Sequence, residues 1–92
     1  MNRKPKEYTL TNGSYAINYR LIENTLPDEE GGTRPSFTLV IQKDSDTVVL
    51  EDFTHLPRKA LPLLEQFCRE SVLPEEAPYI MEDLLSDFDF VQ

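Results

Sequence analysis

Apolar and polar side chains alternate over three stretches of this chain and then change to a helical period. From Tyr15 to Leu26, Tyr15, Ile17, Tyr19 and Leu21 fall on one side, and Ala16, Asn18, Arg20 and Ile22 on the other. A period of two carried by aromatic and β-branched residues predicts a strand with one core face. Ser36 to Gln42 repeats it, with Phe37, Leu39 and Ile41 against Thr38, Val40 and Gln42. Lys43-Asp44-Ser45-Asp46 is a turn, and Thr47 to Phe53 returns with Val49, Glu51 and Phe53 on one side and Val48, Leu50 and Asp52 on the other. Glu7-Tyr8-Thr9-Leu10 adds a short edge strand. It leads into Asn12-Gly13, whose tolerance of positive φ predicts a tight hairpin turn. Leu26-Pro27 ends the long strand, and Asp28 to Pro35 reads as an acidic loop around the Gly31-Gly32 pair.

Beyond Phe53 the period lengthens. Leu61, Leu64 and Phe67 with Cys68 recur at helical spacing, as do Ala77, Ile80 with Met81, Leu84 with Leu85, and Phe88. Thr54 caps the turn into the first helix. Pro57 suits a first turn. Pro62, which lacks an N–H and clashes with the carbonyl four residues back, means that the regular helix starts near Leu61 or kinks there. Pro74 is placed to open the second helix, with Glu75 and Glu76 favourable at its positive end, and Pro78 poses the same choice as Pro62. The expected fold is α+β: a three- to four-stranded antiparallel β-meander followed by two short α-helices packed on the sheet. With 92 residues this is one small domain. Residues 1–6 are expected to be a flexible basic start, and 87–92 a flexible acidic tail. Both faces of the sheet carry aliphatic residues, which two helices cannot both cover. The uncovered one hints at a dimer or a partner.

Charge sharpens this. The net charge is −8, and it is unevenly placed. Arg3, Lys4, Lys6 and Arg20 stand near the start, whereas from Glu70 onward there are seven acidic residues and no Lys or Arg. A negative pole repels a phosphate backbone, so direct nucleic-acid binding is disfavoured. A protein with a basic surface fits better, although plain solubility accounts for an acidic surface as well. A single cysteine excludes an intramolecular disulfide and a cysteine-based metal site. No apolar run follows the basic start and none is long enough to span a bilayer, so a cytoplasmic location is expected.

Candidate chemistry is sparse. His55 and Cys68 stand alone and 13 residues apart, with no motif around either, and Cys68 lies on the apolar stripe where inert thiols are common. Asp44, Asp46 and Asp52 lack the frame of a calcium loop. Gly31-Gly32 lacks the Lys-Ser/Thr of a phosphate loop. Glu82 and Asp83 are adjacent and diverge on a helix, unlike a catalytic carboxylate pair. No catalytic, cofactor-binding or metal-binding residue is assigned and no cofactor is expected.

Glu51-Asp52-Phe53-Thr54, Phe67-Cys68, Leu73-Pro74 and Met81-Glu82-Asp83-Leu84-Leu85 together resemble a family of small uncharacterised proteins from clostridia and related Firmicutes, over roughly Tyr15 to Leu85. The chain departs from that pattern at Pro62, at Pro78 and in the loop at Asp28–Pro35. The resemblance implies a fold and carries no activity or site.

The leading expectation is a non-enzymatic protein-interaction or regulatory module. Its partner-binding surface is Glu75, Glu76, Glu82, Asp83, Asp87 and Asp89, with Phe88 and Phe90 as apolar anchors. A sharper version is an acidic mimic of nucleic acid that inhibits a DNA- or RNA-binding protein, against which the interspersed Arg34, Lys43, Arg58 and Lys59 count. A self-associating structural protein is a third reading. A ligand-binding domain or enzyme, the fourth, would need a deep pocket lined by Tyr8, Tyr19 and His55.

Overall fold

A computed structural model describes residues 6–87. Four strands, β1 (Lys6–Asn12), β2 (Ile17–Pro27), β3 (Thr33–Lys43) and β4 (Asp46–Thr54), precede two helices, α1 (Pro57–Arg69) and α2 (Ala77–Leu85). Consecutive strands pair antiparallel, so the sheet order is β1-β2-β3-β4 and β1 and β4 are its edges. This is the α+β meander-plus-helices architecture that the alternation predicts. The molecule is only 19 Å deep in its thinnest direction, which suits one sheet and one layer of helix and leaves no third layer.

The helices lie on the face that carries Ile17, Tyr19, Leu21, Phe37, Leu39 and Ile41, all essentially inaccessible to solvent. Ala60, Leu63, Leu64 and Phe67 of α1 pack onto them, joined by Val72 from the interhelix link and by Ala77 and Met81 of α2. Tyr8 and Leu10 of β1 and Val48 and Leu50 of β4 flank this core half-buried. The opposite face, with Arg20, Ile22, Asn24, Leu26, Thr38, Val40 and Val49, has no helix on it among the described residues.

Several local expectations are corrected. Tyr15 is not a strand residue on the core face but lies in a four-residue connection, 55% exposed. Asn12 pairs with Ile17, so the tight two-residue turn at Asn12-Gly13 does not form. The Asn12 side chain explains this. Its Oδ1 accepts from the Ser14 and Tyr15 amides at 3.1 and 3.3 Å, which opens the turn, and the positive φ falls on Ala16. Its Nδ2 donates to the Cys68 carbonyl at 2.9 Å and to Ser71 Oγ at 2.7 Å, tying this turn to the end of α1. The loop after β2 is shorter than the composition implies. Thr33, Arg34 and Pro35 already pair with Pro27, Leu26 and Thr25, and Gly31 at φ 87° closes what remains.

Phe53 is the larger correction. Strict alternation groups it with Val49 and Glu51, yet it is buried with Val48 and Leu50 against the core. The cause is a bulge: Leu39 pairs with Leu50, but Phe37 pairs with Thr54, so β4 carries two extra residues there. Asp52 takes φ 47°, and the strand switches phase across it.

Pro57 is the first residue of α1, and the helix runs on through Pro62 to Arg69, so the regular helix does not wait for Leu61. The residue capping its start is Leu56. Thr54 Oγ1 accepts from the Leu56 amide at 3.1 Å and so fixes the turn before it. The end of α1 is a Schellman motif: the Ser71 amide bonds the Cys68 carbonyl, the Val72 amide bonds the Phe67 carbonyl, and Ser71 sits at φ 56°. Pro74 does not open the second helix. It is buried in a turn, and α2 begins at Ala77, with Pro78 in its first turn and Glu75 and Glu76 just ahead of it. Lys6 opens β1. The rest of the expected flexible start, and the expected tail beyond Asp87, lie outside the described residues.

Candidate functional site

The two helices are packed differently, and the site follows from that. α1 lies across the sheet, touching all four strands, whereas α2 sits over the β4 edge. Its buried residues are Ala77 and Met81, four apart on one face of the helix. Between that face and β4 runs an open groove of about 430 Å³, within the size range of binding clefts. Leu50 and Phe53 form its strand side, and Pro78, Met81 and Leu85 its helix side. Glu51 and Glu82 stand along it, one from each element.

The expected partner-binding carboxylates among the described residues are all exposed. Glu75 and Glu76 lie before the first turn of α2, Glu82 and Asp83 lie in its second half, and Asp87 follows it. Only Glu82 of this set lines the groove. Phe88, Asp89 and Phe90 lie outside the described residues. Sequence reasoning missed Glu51 and the apolar wall. Strand pairing and the packing of α2 place Glu51 and Glu82 along one groove, and no local pattern records the proximity of elements 31 residues apart. Two exposed apolar side chains also line the groove: Val49 is 49% exposed and Leu85 42%.

On its other flank α2 meets α1 in a smaller cleft of about 250 Å³ lined by Arg58, Lys59, Gln66 and Leu84. The lining of that cleft is basic and polar, whereas Glu51 and Glu82 line the groove beside β4. On the open sheet face, Asp52 anchors a separate polar cluster. Arg34 donates to both of its carboxylate oxygens, at 3.3 and 3.1 Å, Ser36 Oγ donates at 2.7 Å, and the Asp52 amide donates to Thr38 Oγ1 at 3.3 Å. The Arg34 hydrogen bonds, then that of Ser36, hold the Asp52 carboxyl below the usual carboxylate range. The same pairing raises Arg34. These bonds hold the bulge that turns Phe53 inward, which accounts for the cluster without a ligand.

The structure does not bring His55 and Cys68 together. His55 is exposed before the start of α1, and Cys68 is half-buried near its other end, about 18 Å along the axis at the helical rise. Tyr19 does not line a pocket with Tyr8 and His55. It is fully buried, and its hydroxyl donates to the Val72 carbonyl at 2.8 Å. Burial, with the nearby Cys68 and Glu76 adding to it, pushes that hydroxyl up to about 12. Among the described residues no three His, Cys, Asp or Glu side chains are gathered to hold a metal ion. No helix among them is long and apolar enough to cross a membrane. No family model, curated protein or solved structure matches the chain.

Proposed function

We propose that this chain is a non-enzymatic protein-interaction module that takes up a basic, partly apolar surface of another protein between β4 and α2. The observation that carries this reading is the groove itself. It is an apolar channel, open to solvent, with a carboxylate contributed from each side by Glu51 and Glu82. Apolar contact supplies affinity there, and the carboxylates select for Lys and Arg and speed encounter. The further acidic residues Glu75, Glu76, Asp83 and Asp87 extend the negative field beyond the groove. A basic partner would also relieve part of the self-repulsion of a chain with net charge −8. Mimicry of nucleic acid finds less support, because Asp52 is matched by Arg34 and the cleft on the other side of α2 carries Arg58 and Lys59.

The test is a titration of the ¹⁵N-labelled protein with a short peptide of alternating Lys and Val, at low and at physiological salt. Amide shifts confined to β4 and α2, weakened by salt and by the double substitution Glu51→Gln and Glu82→Gln, are expected. Shifts spread over every acidic segment, including Glu29 and Glu30 in the far loop, and unchanged in the double variant would sink the reading.

A further inference from the structure

The groove has one wall that is a strand edge, and this decides what kind of segment fits it. β4 is last in the sheet order, so its outward backbone N–H and C=O groups have no strand neighbour among the described residues. Proteins commonly guard such an edge with Lys, Pro or a bulge. β4 has no Lys and no Pro, and its one bulge is at Asp52. The stretch from Thr47 to Glu51 carries no guard against a basic strand, since its one charge is the acidic Glu51, and it is roughly 17 Å long at the rise of a strand. At its middle, Val49 exposes half its surface. The opposite edge differs. β1 starts with the charged pair Lys6-Glu7 and ends at Asn12, whose side chain is fastened to the end of α1.

Resting on the reading above, we infer that the partner binds as an extended segment that adds to β4 as a fifth strand, with alternating apolar and Lys or Arg side chains. Strand addition satisfies the outward backbone groups of Thr47 to Glu51. The period of two in the added strand then sends one row of side chains into the groove, over Leu50, Phe53, Met81 and Leu85. The other row points away from α2. Charge favours a basic segment of another protein over a second copy of this chain. Two copies paired through β4 would bring together two chains of net charge −8, each with Glu51 and Glu82 beside the shared edge. A helix laid in the groove would leave the outward groups of β4 without partners.

The decisive probe is the alternating Lys-Val heptapeptide, compared with two derivatives of it. One derivative is N-methylated on the valines and the other on the lysines. In an added strand only one of these sets of N–H groups faces β4. One derivative should therefore lose at least tenfold in affinity while the other binds like the parent. Hydrogen exchange should slow at alternate amides between Thr47 and Glu51 when the parent is bound. Val49→Lys, at an exposed position that tolerates the change, should abolish binding while leaving the circular dichroism unchanged. If the two derivatives behave alike, strand addition is overturned, while the interaction reading survives as long as the parent binds in the groove. If the parent does not bind at low salt, both are overturned. A defined dimer in sedimentation, dissociated by Val49→Lys, would overturn the basic partner in favour of a second copy.

Discussion

α1 and α2 are neighbours in sequence and are both amphipathic, yet they hold opposite positions in the structure. α1 drives Ala60, Leu63, Leu64 and Phe67 into the centre of the sheet. α2 inserts Ala77 and Met81, and leaves Tyr79, Leu85 and its carboxylates in solvent over an edge strand. The first helix closes the core, whereas the second forms one wall of an open groove. A domain of this size has few apolar side chains to bury, so exposing them along one helix is costly to solubility unless something covers them.

The contrast is broken most directly by truncating each helix. Phe67→Ala removes an inaccessible ring from the core and should cost about 3–5 kcal/mol. Tyr79→Ala, at a position 73% exposed, should stay within about 0.5 kcal/mol of the parent. Urea denaturation of both variants measures this. Equal losses would mean that α2 is as much a part of the core as α1. The next effect is smaller and concerns the link between the helices. Tyr19→Phe keeps the buried ring but leaves the Val72 carbonyl without its donor, at about 1–3 kcal/mol. The alkaline limb sharpens it. The Tyr19 hydroxyl is raised to about 12 in the folded state, against about 10 unfolded. Its contribution is therefore fully present below pH 10 and is lost as the pH rises toward 12. In Tyr19→Phe that fall should flatten. A persistent fall of the same size would assign it to another group.

Smaller again is the acid limb, which tests the lock on the bulge at the far end of the groove's strand. Asp52 is depressed in the folded state by Arg34 and Ser36. Its contribution is present above its unfolded value and is lost as the pH falls through the depressed folded value. Both groups of the ion pair are substantially exposed to solvent, so screening keeps the contribution modest. Asp52→Asn should remove this part of the acid dependence and increase amide exchange around Phe53. A carboxyl titration of Asp52 at the ordinary carboxylate value would rule the lock out.

The same contrast shows how far local pattern reaches. The meander was legible because period two survives in β2 and β3, where every residue from Asn18 to Pro27 has a direct partner. It failed at Phe53, because the bulge in β4, with Asp52 at positive φ, breaks the alternation and only the pairing of Phe37 with Thr54 reveals it. The turns failed in a related way. Ala16, Asp44, Asp52 and Ser71 all take positive φ without being glycine, and at Ser71 the Schellman bonds and Asn12 hold that conformation. Pro74 and Pro78 are equally good helix starters in isolation, and only the burial of Pro74 separates them. The acidity of α2 was readable from composition. The groove was not, because it needs Glu51 and Glu82 from two elements, together with the choice of which sheet face α1 covers.

The last test has the smallest effect on stability and bears most directly on α2 as a binding wall. Glu82→Gln alters an exposed side chain of that helix at the groove. Its folding free energy should stay within about 0.5 kcal/mol of the parent. Binding of the basic probe should weaken, and the difference between Gln and Glu should shrink as salt rises, because the lost term is a screened Coulomb attraction. Glu65→Gln on α1 supplies the matched control: it is also exposed and also acidic, but does not line the groove. A probe that loses as much affinity to Glu65→Gln as to Glu82→Gln is responding to the net charge of the molecule, and the distinction between the helices is then one of packing alone. A loss confined to Glu82→Gln places recognition on the side of α2 that faces β4.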